Sequence, residues 1–182
     1  MNYLEFRIFS IIYNSPEPLY LREIVKKSNL SYGTVQSILN RNIKLFNIKL
    51  SGKNKYFSFN KNINTFFLFQ QIESEKMRQF IIKKPELAPF IESCRKLSIP
   101  IVIFGSFSKG NPKKDSDLDM LIISSRDTKL PEHLSIYKLH KIFIKPENLP
   151  EFRQQILYRE IEYQHLIVSN IDYCLDKVFG CC

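Results

Sequence analysis

Long hydrophobic runs are missing from this chain. The longest, such as Ile99–Phe104 and Leu118–Ile123, are far too short to cross a bilayer. Met1 is followed by Asn2–Tyr3–Leu4–Glu5 instead of a basic segment, so neither a membrane span nor a secretory signal is expected. Cysteine is scarce, and Cys94, Cys174, Cys181 and Cys182 lack zinc-ligand spacing. That excludes a disulfide framework and makes a reducing cytoplasm the expected compartment. Alanine occurs once, at Ala88, amid abundant Ile, Asn and Lys, a compositional bias without functional content. No internal repeat or low-complexity tract is visible. What is present is 182 residues, 44% of them hydrophobic and 25% charged, which suffices for one medium packed domain or two small ones.

The formal net charge of +9 is unevenly spread. Residues 1–61 carry ten Lys/Arg against three Asp/Glu, whereas residues 85–182 carry thirteen of each. A basic half joined to a neutral half implies two jobs, with a polyanion as the expected partner of the first.

In the basic half, Leu4, Ile8, Ile11 and Ile12 recur at helical spacing and predict a helix over 3–13. Asn14–Ser15–Pro16–Glu17–Pro18 breaks it. Leu21, Ile24 and Val25 mark a second helix ending near Ser28, and Ser31 is placed to cap a third. Val35, Ile38 and Leu39 then face inward, leaving Tyr32, Thr34, Gln36, Ser37, Asn40, Arg41 and Lys44 outside. Ile48–Ser51 and Lys55–Phe59, joined by Gly52–Lys53–Asn54, read as a hairpin.

Three helices followed by a basic hairpin resemble a winged helix-turn-helix. The resemblance implies duplex DNA as partner, with the third helix in the major groove. Gln36, Asn40 and Arg41 would then reach base edges; Ser31, Thr34 and Ser37 would reach phosphates. Tyr32 and Lys44 complete the exposed face, and Lys49, Lys53 and Lys55 on the wing would neutralise backbone charge.

Residues 62–84 carry Phe66, Phe67, Phe69, Ile72, Met77, Phe80 and Ile81 in a long helical pattern. Its broad stripe predicts a connector helix packed against both halves or against a second copy in a homodimer. Pro85 ends it, and a further helix over 86–97 leads into the second module.

Ile99–Phe104 predicts a strand buried on both faces, running into Gly105–Ser106 and a short helix over 107–110. After Asn111–Pro112–Lys113–Lys114–Asp115 comes Ser116–Asp117–Leu118–Asp119, then the apolar strand Met120–Ile123. Glycine lets the backbone approach a phosphate, and Ser106 adds a hydroxyl and an N–H at a helix start. Asp117 and Asp119, two apart on an extended segment, point to one side. Such carboxylates repel unless neutralised, and Mg²⁺ favours one or two carboxylates plus substrate phosphates.

The pattern G-S-x10-D-x-D between two strands resembles the minimal nucleotidyltransferases of the DNA polymerase beta-like superfamily. The resemblance implies that Gly105 and Ser106, with Lys109 and Ser116, bind a nucleoside triphosphate, while Asp117 and Asp119 are catalytic and ligate Mg²⁺. Similar transferases often belong to toxin–antitoxin pairs, which points to a protein acceptor such as a toxin partner, beside nucleic-acid acceptors. Members of that superfamily usually place a third carboxylate on the next strand. Here that strand is expected at Tyr137–Ile144, and no Asp or Glu lies between His133 and Lys145. Spacing from Pro146 puts the expected position at Ile142, with His140 on the same face. Three readings stay open: catalysis is lost, His140 substitutes, or Glu147 or a partner chain completes the site.

Beyond Pro150 the pattern predicts a helix over 152–163, a strand at Leu166–Val168 and a closing helix over 171–179. The expected architecture is therefore α+β. It comprises a winged helix domain (1–61), a connector helix (62–84) and a nucleotidyltransferase-like domain on a small mixed sheet (85–182). The expected activity is that of a DNA-binding transferase. The alternative is a non-catalytic transcriptional regulator whose second domain senses nucleotide or dimerises.

Overall fold

A computed structural model describes residues 1–125 and 128–181. They divide into two compact units, residues 1–72 and 73–181. The division falls inside the long helix expected as a connector.

In the first unit, α1 (Tyr3–Tyr13) begins with reciprocal capping: Asn2 Oδ1 accepts the Glu5 N–H at 2.9 Å, and Glu5 accepts the Asn2 N–H at 3.0 Å. A two-residue strand β1 (Leu19–Tyr20) leads into α2 (Leu21–Ser28). Asn29, left-handed at φ 51°, ends α2, and the Ser31 hydroxyl accepts the Thr34 N–H at the start of α3 (Tyr32–Arg41). Strands β2 (Phe46–Ser51) and β3 (Asn54–Phe59) form the expected hairpin, turning over Gly52 and Lys53. The sheet order is β1-β3-β2. Ile8, Ile24, Val35 and Leu39 are almost wholly buried, and Phe9 meets Phe46 and Phe59 edge-on at 5.9 Å.

Helix α4 (Ile63–Lys83) crosses the division, as the apolar stripe predicted for one long element. Pro85 follows its end, and a short 3₁₀ turn leads into α5 (Ala88–Lys96). The second unit is built on a mixed sheet of order β6-β5-β4-β7. Strand β4 (Ile101–Phe104) runs antiparallel to β5 (Leu118–Ile123) and β7 (Leu166–Ser169), while β5 and β6 (Leu139–Ile144) are parallel. Between β4 and β5 lies the four-residue α6 (Gly105–Ser108).

All four residues of β4 are buried, as an apolar central strand demands. Ile101, Ile103, Leu118, Met120, Ile122, Leu166 and Val168 pack with Phe90, Ile91 and Cys94 of α5. Alternation turns Val102, Leu121 and Ile167 to the other face. The expected helix over 152–163 is two, α7 (Leu149–Phe152) and α8 (Ile156–Tyr163). The break coincides with Arg153, whose guanidinium donates to the carbonyls of Val178 and Lys177. The closing segment is a short α9 (Ile171–Tyr173) continued by a wider π turn over Cys174–Val178. No helix among the described residues is long and apolar enough to cross a membrane.

One buried ionic cluster lies in the second unit. Glu73 Oε1 is 2.7 Å from Lys76 Nζ and 3.2 Å from His165 Nε2, and His165 stacks on Phe179 at 4.0 Å. Burial works to raise the Glu73 pKa, but Lys76 and His165 outweigh it and hold the carboxyl down to about 2. A carboxyl depressed on folding contributes stability above the unfolded carboxylate range and loses it as pH falls through the folded value. Urea midpoints, followed by circular dichroism from neutral pH down to about pH 2, should therefore fall steeply in acid for the native chain. Glu73→Gln should flatten that limb and lower the midpoint at neutral pH, because it removes the buried carboxylate charge that faces Lys76 at 2.7 Å.

Candidate functional site

Two groups of chemistry-bearing residues stand out, one in each unit. In the second unit the antiparallel register sets Phe104, the last residue of β4, opposite Asp119 of β5. The chain then turns through Gly105 in a left-handed conformation, φ +70°. A Cβ at this position would overlap Asp119 Oδ2. Glycine is thus required twice, by its backbone angle and by the carboxylate that fills the space beside its bare Cα. The Ser106 hydroxyl makes no hydrogen bond among the described residues. The Ser108 hydroxyl lies 3.0 Å from the carbonyls of Gly105 and Gln164, tying α6 to the residues ahead of β7.

The parallel pairing of β5 with β6 brings a basic residue to each acid. Asp119 Oδ1 is 2.8 Å from His140 Nδ1, and Asp117 Oδ2 is 3.5 Å from Lys138 Nζ. Register pairs Asp119 with His140 and Leu121 with Ile142. The residue beside the acid is therefore His140, and Ile142, chosen by counting back from Pro146, is two places further along. Neither Lys138 nor this register was apparent from sequence, since a single strand's pattern says nothing of which neighbour it meets in parallel.

The other expected residues take local partners. Lys109 forms an ion pair with Glu160, and the Ser116 hydroxyl accepts the Lys113 N–H at 2.8 Å. Among the described residues, no group of three or more His, Cys, Asp or Glu is arranged to hold a metal ion. The Asp119 carboxylate beside the glycine bend, with Asp117 two residues ahead of it, nevertheless suits Mg²⁺, which takes its remaining ligands from water and substrate phosphates. The donor set fits an ion that arrives with a nucleotide, in place of a prebuilt cage.

In the first unit, a cleft of about 370 Å³ opens between α3 and the hairpin tip. Tyr32, Gln36 and Asn40 line it from α3, and Lys53 and Lys55 from the hairpin. Tyr20 and Arg22, at the start of α2, complete it; the sequence had not singled them out. Only the fold reveals them, because β1 pairs Tyr20 with Tyr56 of β3 and sets the start of α2 against the hairpin. Arg22, Lys53 and Lys55 have no acidic partner among the described residues, so the cleft is an uncompensated positive surface beside amide and phenol groups. The remaining candidates stand apart from the cleft lining. Arg41 is bound to Glu5 at 2.9 Å, and Ser31 and Thr34 bond to each other at the cap. Ser37, Lys44 and Lys49 are exposed elsewhere on the unit.

The demand on Gly105 is separable into its two parts. Gly110 is also left-handed, φ +73°, yet has no atom within 4 Å of where a Cβ would sit. Gly110→Ala should cost only the backbone strain, about 1–2 kcal/mol. Gly105→Ala should cost clearly more in the same urea titration, because the Asp119 carboxylate must also move.

Comparison with known proteins bears on the second unit. Residues 86–175 match the family model described as "Nucleotidyltransferase domain", and no curated protein or solved structure matches the chain. The matched stretch contains the Gly105 bend, both acids and His140. The C-terminal part of this mixed α+β chain is nucleotidyltransferase-like, and the match points to nucleotide transfer in general.

Proposed function

We propose that the chain binds a nucleoside triphosphate with Mg²⁺ at the Gly105–Asp119 site and transfers the nucleotide to a hydroxyl of a protein or nucleic-acid acceptor. The single observation carrying this reading is the fit of the Asp119 carboxylate against the bare face of Gly105, inside the stretch that resembles a nucleotidyltransferase. Asp117 and Asp119 would hold the ion, which when bound would stabilise charge on the transferring phosphoryl group. The chain's own part is positioning. The Gly105 bend admits phosphate close to the backbone, and the first turn of α6 presents N–H groups and the Ser106 hydroxyl to it.

The first module, in this reading, is a winged helix over 1–61 that holds duplex DNA along α3 and the hairpin. Residues 62–84 then connect it to the transferase module over 85–182. The uncompensated Arg22, Lys53 and Lys55 beside Gln36 and Asn40 support that assignment. Lysine and arginine neutralise phosphates, while the two amides have the geometry to pair with a base edge.

A second reading has its own support. Lys138 pairs with Asp117 and His140 hydrogen-bonds Asp119 within the chain, an arrangement that a domain sensing nucleotide without transferring it would allow. Incubating the chain with each α-labelled nucleoside triphosphate, Mg²⁺, an RNA oligonucleotide and a cell extract separates the two. Transfer predicts a covalent label on one acceptor, abolished in Asp117→Asn. Calorimetric binding of nucleotide without any label selects sensing.

For the first module, the affinity for duplex should fall linearly with the logarithm of salt concentration. Each of Arg22→Ala, Lys53→Ala and Lys55→Ala should reduce that slope by about 0.9, as expected for one lost phosphate contact. Arg41→Ala should leave it unchanged, since Arg41 is held by Glu5.

A further inference from the structure

We propose that the open margin of β6 is a docking edge for an extended acidic segment of a partner protein, which joins the sheet as a fifth strand. In the order β6-β5-β4-β7, β6 has a neighbour on one side only. The Leu118 N–H donates to the Lys138 carbonyl at 2.8 Å, and the Ser124 N–H to the Ile144 carbonyl at 3.0 Å. Backbone groups of alternate residues face the neighbour in a parallel ladder, so Lys138, His140, Ile142 and Ile144 turn theirs toward β5. Those of Leu139, Lys141 and Phe143 turn outward and have no hydrogen-bond partner among the described residues. Donors and acceptors repeated at the spacing of an extended chain are a template for another strand.

The opposite margin of the sheet offers no such template, because all four residues of β7 are buried. Beside β6, by contrast, apolar side chains stand open: Phe143 is 47% exposed, and Ile136, just ahead of the strand, 68%. A strand laid along β6 would place its own side chains against the Phe143 ring, the kind of cross-strand contact that stabilises sheets.

Charge selects the occupant. The margin carries Lys138, Lys141 and Lys145, and no acid lies between His133 and Lys145. Lys138 and Lys141 each meet one acid from another segment, Asp117 and Glu132, and Lys145 meets none among the described residues. Carboxylates alternating along an incoming strand complement this row. A second copy of the chain does not, since fully overlapped antiparallel pairing of two β6 strands would set Lys141 against Lys141. A nucleic acid would answer the charge but brings no row of N–H and C=O groups at strand spacing. The docked segment would lie one strand away from Asp119, whether the nucleotide site transfers or only senses.

The test uses the full chain and a short synthetic peptide of alternating glutamate and valine, with exchange of single amides followed by NMR. In the free chain the Lys141 and Phe143 amides should exchange freely, while those of His140 and Ile142 are protected. The peptide should slow the Lys141 and Phe143 amides by at least about ten-fold. The same peptide methylated on its backbone nitrogens, and its lysine–valine counterpart, should each bind at least about ten-fold more weakly. Phe143→Pro removes one outward N–H and spares the ladder to β5, so it should weaken binding by a similar factor with the urea midpoint nearly unchanged. Phe143→Thr keeps that N–H and should bind more tightly than the proline variant. Lys141 and Phe143 amides already slow in the dilute free chain overturn the proposal, because the edge is then covered. Amides that slow only as the chain is concentrated overturn it in favour of a second copy. Equal affinity for the methylated or the lysine peptide also overturns it, whatever the stability of the variants. So do equal losses in the two Phe143 variants, protection of these amides by oligothymidine in place of the peptide, and no protection by the peptide at about 1 mM.

Discussion

The missing side chain of Gly105 is the constraint on which the second unit's site depends. Phe104 and Asp119 are opposed by the antiparallel pairing of two buried strands, so the carboxylate has little freedom to sit elsewhere. It occupies the volume that any other residue at 105 would claim. Strand pairing, a left-handed bend and an acid are therefore one feature: altering any of the three displaces the others. Because the bend also opens α6, the same glycine decides where the first backbone N–H groups of that helix begin.

The electrostatics of this rim differ from what two neighbouring acids alone would suggest. Each acid has a partner within the protein: Lys138, just ahead of β6, pairs with Asp117, and His140 of β6 hydrogen-bonds Asp119. Exposed pairs of this kind contribute little to folding stability. The buried Glu73–Lys76–His165 cluster is the opposite case, a group of charges whose compensation the fold itself requires. The first unit presents a third case, cations left without counter-charge around a cleft.

Local signals in the sequence carried through to structure, and non-local ones did not. Ser31 as a cap, the helix over 3–13 and the inward Val35, Ile38 and Leu39 depend on neighbours within a few residues, and all are as expected. The same holds for the turn between β4 and β5, where Gly105 and the two acids are encoded within a dozen or so positions. Strand β1 was invisible because two residues after a proline-rich break show no alternation, and only pairing with β3 makes them a strand. With β1 unseen, Tyr20 and Arg22 were not linked to the hairpin. Which residue stands opposite Asp119 was not legible for a similar reason: a parallel neighbour's register is set by the whole sheet, and it pairs Asp119 with His140. The break between α7 and α8 belongs to the same class, since it involves Arg153 reaching carbonyls some twenty-five residues downstream.

Strand β6 closes one margin of the four-stranded sheet, with a neighbour on one side only. The side chains of Lys138 and His140, 83% and 59% exposed, lie at that margin and are not among the residues of the apolar core. The interior must keep its volume filled, so most replacements there carry a stability penalty; replacements at the margin carry almost none. The two partners of the acids thus sit where replacement is cheap, whereas Asp119 and Gly105 are tied to the strand pairing itself.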